Sequence, residues 1–227
     1  MVPDDAPFPA LHVRAVLCAD ERMATERKRP WYLVLALLGA LALGITGAYK
    51  GWEEVTLYHA SLDPTAAGQG IADEHDRTVV IARTEAVIRA LDAAKSRGWP
   101  LAVATLLVGG ATLLFAMRAL GGSSGARAVL VQLVLAQAGI GVAGHLLLRD
   151  VIEADLQWRE AEHSAEEHAA GVVSPVQPPI STMAVLRAAS TMVLVLRTLG
   201  SALVVIGLTR RGSREYFDET AAAVEER

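Results

Sequence analysis

A chain of 227 residues has room for one domain, or for one bundle with appendages. Its residues are 52% apolar but only 5% aromatic. The apolar mass is therefore Ala, Val and Leu, a composition that suits lipid-facing helices better than a water-soluble core. A net charge of −4 without a basic stripe excludes a nucleic-acid footprint, and a single cysteine, Cys18, excludes an intrachain disulfide and a thiolate metal site.

Residues 1–30 read as a cytoplasmic N-terminal segment ending in the basic run Arg27, Lys28 and Arg29, with Met23 as a second candidate start. Residues 31–49 carry no charge and form the first expected transmembrane helix, since about 20 apolar residues at roughly 1.5 Å each cross the hydrocarbon. A basic run before an apolar one also fits a cleaved signal peptide. Against cleavage, the run is nearly a full span and residues 44–49 offer no clear small-x-small site. Trp31 and Tyr32 on one side and Tyr49 and Trp52 on the other bracket it as interfacial anchors, so a retained signal anchor is expected.

Residues 50–99 form an outer loop. Pro64, Gly68 and Gly70 mark a turn region, and an amphipathic helix follows from about 74 to 97, with Val80, Thr84, Val87, Leu91 and Ala94 on one apolar face. That face either rests on the outer ends of a bundle, docks a partner, or lies in the membrane plane. Gly98 is expected to end this helix and Pro100 to open the next, with Trp99 as a further interfacial anchor. Residues 100–120 make the second span, 121–127 a short Gly- and Ser-rich cytoplasmic link, and 128–148 the third span.

Residues 149–183 form a second outer loop, helical to about 169 and then Pro-rich at Pro175, Pro178 and Pro179. Glu160, His163 and Glu167 fall on one helical face there, a spacing that could hold zinc or iron. A di-iron bundle would need a second Glu-x-x-His, which the chain lacks, and solvated acidic helices produce such triples by chance. Residues 184–208 are the fourth span, and 209–227 a cytoplasmic tail. The fourth span must carry Arg197, which costs about 2.5–3.5 kcal/mol at a helix centre; the Leu, Ile and Val around it return roughly 3–6 kcal/mol together. Arg187, near the helix end, can snorkel.

Basic residues before the first span, around the short link (Arg118, Arg127) and after the fourth (Arg210, Arg211, Arg214) put both termini in the cytoplasm by the positive-inside rule. Lys50, Arg77, Arg83, Arg89, Lys95 and Arg97 in the first outer loop oppose that orientation, but longer loops translocate with less regard to charge. Arginine greatly outnumbers lysine, as in GC-rich bacterial genomes, so the expected location is a bacterial inner membrane.

The informative residues lie inside the spans. Gln137 and Arg197 fall at the middles of spans three and four, so antiparallel helices would bring them to one depth. Gln137, Gly141, Gly144 and His145 share a face, as do Arg197, Ser190, Gly200 and Ser201. Packing these small polar faces together predicts an Arg197–Gln137 hydrogen bond and His145 beside Ser190. Stripes of small residues on span one (Ala36, Ala40, Gly44, Ala48) and span two (Ala102, Thr105, Gly109, Thr112, Ala116) read as packing faces.

The expected fold is thus all-α, an integral membrane four-helix bundle with amphipathic helical outer loops. No P-loop, Gly-x-Ser-x-Gly or His-Glu-x-x-His is present, so no cofactor is called for. The leading expectation for function is a non-enzymatic structural, assembly or sensing subunit whose partners are the lipid bilayer and a second copy or another membrane subunit. A small channel or carrier with an anion or lipid-headgroup site at Arg197 comes second, and a membrane metalloenzyme using the Glu160–His163–Glu167 face third.

Overall fold

The computed structural model describes residues 30–171 and 182–225. Cys18, Met23, the Arg27–Lys28–Arg29 run and the three prolines of the second outer loop lie outside them. Every regular element among the described residues is helical: α1 Trp31–Leu57, α2 Pro64–Ala67, α3 Glu74–Leu120, α4 Ser124–Leu147, α5 Arg149–Ala169, α6 Thr182–Thr209 and α7 Arg211–Glu225. Four of them, α1, α3, α4 and α6, are long and apolar enough to cross a membrane. Only 17–33% of the residues in each apolar stretch are buried inside the protein. Many of the other side chains, among them Trp31, Leu35, Leu107, Leu114, Leu199 and Leu203, are exposed, an apolar surface larger than soluble monomers usually show.

The four helices form an up–down–up–down ring in which α1 and α4 each pack against both α3 and α6. The tightest pair is α1 with α3. On α1 the buried stripe is Leu33, Ala36, Leu37, Ala40, Gly44, Gly47 and Gly51. It meets Ala102, Thr105, Gly109, Thr112, Ala116 and Ala119 of α3, all buried. A Cβ on Gly44 would lie 2.7 Å from the backbone nitrogen of Leu113, and one on Gly51 would strike the backbone of Leu106. Small residues bring the two backbones into direct contact, the usual basis of helix association in an apolar solvent. The α3 stripe coincides with the small-residue positions read from the sequence; on α1 the stripe drifts from Gly44 to Gly47 and Gly51, leaving Ala48 half-buried.

Helix α3 corrects one expectation. It runs unbroken through Pro100 over 47 residues, about 70 Å, where the sequence suggested a stop at Gly98. Its buried positions Leu91, Ala94, Gly98, Ala102, Thr105, Gly109, Thr112, Ala116 and Ala119 keep steps of three and four, and half-buried Thr84 and Val87 carry the same steps on to buried Val80. That average near 3.5 is the period of a supercoiled seam. Gly98 belongs to this seam: a side chain there would collide with the Tyr58 ring. The missing N–H of Pro100 forfeits one helical bond, which the continuous packing on both sides of it outweighs.

The outer half of α3, about 36 Å from Glu74 to Arg97, is flanked by α5 and by the end of α1. Val87, Leu91, Val55, Tyr58, Ala102 and Val151 make a small core there. The apolar face of the expected amphipathic helix is therefore covered within the chain. At the opposite end α3 turns into α4 through Gly122, whose φ of +87° suits glycine. The segment expected to be a tail is instead α7, which folds under the bundle. Its Phe217 is fully buried among Leu33, Leu130 and Leu208.

Candidate functional site

Polar side chains gather at two levels, one inside the apolar part of the bundle and one along the outer rod. The inner level is set by two registers. Gly39 of α1 faces Val204 of α6 and Gly207 faces Ala36, and continuing that antiparallel register sets Arg197 level with Thr46. Gln137 sits at the same level on α4, because its amide Nε2 donates to the Leu43 carbonyl of α1 at 2.7 Å. Gln137 is 2% exposed and stands at the centre of the ring, reaching across it. The same carbonyl accepts the Thr46 hydroxyl at 3.2 Å. Gln137 approaches α1 so closely because residue 47 is glycine; a Cβ there would strike the Gln137 amide.

The expected Arg197–Gln137 hydrogen bond is absent. Gln137 spends its donor on α1, and its buried Oε1 has no partner. Arg197 lies half-buried on the side of α6 that faces the bundle, in line with Ser190, Leu194, Ser201 and Val204. Its Nε is buried without an acceptor. No carboxylate among the described residues pairs with it, and Glu54, near the outer end of α1, is held by Lys50 at 3.6 Å. Ser190 and Ser201 turn back onto their own helix, donating to the carbonyls of Arg187 (3.2 Å) and Arg197 (2.9 Å). His145 is half-buried and makes no hydrogen bond to Ser190.

Packing between α4 and α6 stops at this level. On α4 the buried residues are Ala126, Leu130, Val134 and Gln137, with none beyond. On α6 burial begins only at Ser201. Cβ atoms built on Gly139, Gly141 and Gly144 of α4, or on Gly200 of α6, would meet no other described atom within 4 Å. The small faces expected to pack together are thus parted in their outer halves. Further out, Arg187 of α6 donates to Glu153 of α5 at 2.6 Å and ties the helix back.

The outer level was not foreseen. Along the α3–α5 seam Arg97 donates to Asp150 (3.1 Å), Arg83 to Gln157 (2.8 Å) and His168 Nδ1 to Asp76 (2.9 Å). The Asp73 side chain caps the start of α3 by accepting the Asp76 N–H at 3.0 Å, and that bond lowers the Asp73 pKa. The Asp76 carboxylate raises the His168 pKa, first through the hydrogen bond and then through its charge. One-dimensional spacing could not pair residues on separate helices, although the apolar positions Val80 and Leu91 do mark the face of α3 that receives α5.

On the Glu160–His163–Glu167 face, Glu160 is half-buried while His163 and Glu167 are exposed. His163 pairs with Glu167 at 3.4 Å with both side chains more than half exposed. No group of three or more His, Cys, Asp or Glu able to hold a metal exists among the described residues. The aromatic anchors Trp31, Tyr49, Trp52 and Trp99 are all exposed. Trp31 and Trp52 are about 31 Å apart along α1, close to a hydrocarbon thickness of about 30 Å. Tyr32 instead turns inward under Arg210, whose guanidinium carbon lies 5.3 Å from the ring centre.

No family model matches the chain, and neither a curated protein nor a solved structure matches it.

Proposed function

We propose that this chain is a multi-pass protein of a bacterial cell membrane, with both termini cytoplasmic, that serves as a non-enzymatic structural or assembly subunit. The observation that carries this reading is the single α3 rod. One seam runs from the bundle into the outer arm without a joint, so the arm formed with α5 is held at a fixed angle to the four spans. Such construction suits a scaffold or a mechanical coupling between the two sides of a membrane. The orientation follows from Arg118, Arg127, Arg210, Arg211 and Arg214 at the α7 end of the bundle.

Site-directed labelling tests this. With Cys18 replaced by Ser, single cysteines at Glu162 and Arg214, both exposed, are probed in intact spheroplasts with a membrane-impermeant maleimide. Glu162→Cys should label at once and Arg214→Cys only after permeabilisation. The reverse pattern would invert the topology, and labelling of both would remove the membrane assignment.

The buried, unpartnered Nε of Arg197 favours a second reading, a small anion carrier or channel. Anion flux in proteoliposomes that vanishes in Arg197→Gln would replace the scaffold with that reading.

A further inference from the structure

We infer that the crevice between the outer halves of α4 and α6 receives a transmembrane helix of a second protein, one that carries an Asp or Glu near the bilayer centre. This rests on the assembly reading above and names the kind of partner. The floor of the crevice is where packing ends, at Gln137 on α4 and Ser201 on α6. Its far end is the Arg187–Glu153 pair, which ties α6 to α5. Between these limits the walls carry Gly141, Gly144 and Gly200, whose missing side chains leave space for a helix backbone to come near.

Arg197 stands level with Gln137, one turn beyond Ser201, and faces inward. It needs a negative partner, and no described residue supplies one. No Asp or Glu occurs in the apolar stretch of any of the four spans, and Glu54 is already paired with Lys50. Headgroup phosphates are a poor substitute. Arg197 lies about 18 Å along α6 from Thr209 and about 22 Å from Thr182, farther than an arginine side chain extends. A second copy of this chain would bring another uncompensated arginine rather than a carboxylate. An acid on a partner helix supplies both the missing charge and the apolar surface that covers the exposed Val193, Leu196 and Leu146 at the rim.

The full chain, labelled at Cys18 and reconstituted in zwitterionic liposomes, can be titrated with synthetic single-span Leu/Ala peptides that carry Asp, Asn or Leu at the central position. Energy transfer should report roughly tenfold tighter association of the Asp peptide than of the Leu peptide. That preference should vanish in Arg197→Gln. It should also vanish in Gly141→Leu, which fills the crevice in open space and leaves Arg197 in place. Equal binding of all three peptides, or an Asp preference that survives in both variants, would overturn the inference. So would self-association of the chain with no peptide binding, or loss of the preference when anionic lipid is added, since these assign the crevice to a second copy or to a headgroup. Each of those outcomes leaves the labelling pattern of the spheroplast experiment unchanged, so the two readings fail separately.

Discussion

At residue 47 the lack of a side chain decides where Gln137 goes. A buried amide in an apolar bundle needs acceptors, and the nearest is a carbonyl that α1 already uses for its own helix. Gly47 exposes that carbonyl, and Gln137 takes it at 2.7 Å. Gly47→Ala should therefore lower stability by about 1–3 kcal/mol, the range for forcing a methyl into a packed site, even though Ala is the better helix former by about 1 kcal/mol. Thermal or SDS-induced unfolding of the purified protein in detergent micelles measures it. The double variant Gly47→Ala, Gln137→Ala should be less unstable than the sum of the singles, because the second change removes the collision that the first creates. Additive effects would mean that the two residues do not meet. Helical periodicity legibly puts Gln137 on a packing face, but periodicity defines only a face. It does not say which neighbour that face turns to, and the deciding residue lies on another helix.

Among the elements, α3 and α7 show two ways a sequence misleads. Gly followed two residues later by Pro reads as a helix boundary because both residues disfavour helix interiors in isolation. Here Gly98 is required by the Tyr58 ring and Pro100 is carried by the seam on either side of it. The regular steps of the seam were the stronger signal and were readable across residues 80–119. Inserting one alanine between Gly98 and Trp99 rotates the outer arm by about 100° against the span, so no seam can stay in register on both sides. Loss of cooperative unfolding, or protease cleavage confined to the arm, is the expected result; a variant as stable as the parent would show a flexible joint. Helix α7 was hidden for a different reason. Its buried Ser213 and Phe217 and half-buried Tyr216 and Thr220 recur at helical spacing, yet they sit among Arg211, Arg214, Glu215, Asp218 and Glu219 and only the two aromatics are bulky. Phe217 nonetheless fills the inner end of the main core. Phe217→Ala should cost about 3–5 kcal/mol and free the C-terminal helix to trypsin at Arg211 and Arg214.

For the molecule as a whole, the long arm is only as rigid as the rungs between α3 and α5, and these are polar. Arg97–Asp150 lies nearest the spans, Arg83–Gln157 in the middle, and His168–Asp76 at the tip. Only the last changes charge near neutral pH. Asp76 lies in the first turn of α3 and is largely buried, while His168 ends α5, and Asp73, His75 and Glu167 are the other titratable groups in their electrostatic surroundings. The His168 pKa is raised in the folded protein, so its protonated form is the one that folding favours. The contribution of the clasp is then complete below the unfolded histidine value, about 6.5, and is lost as pH climbs through the higher folded value. Comparing unfolding midpoints of the parent and His168→Gln isolates it from every other group. The parent should be the more stable of the two at about pH 6, and the gap should close by about pH 9. A gap that stays constant with pH would mean that the imidazole acts as a neutral hydrogen-bond donor only, and a gap that widens as pH rises would reverse the sign and break the Asp76 pairing as the cause. Because α3 has no joint at Gly98, any loosening at this tip changes how the arm is held along its whole length.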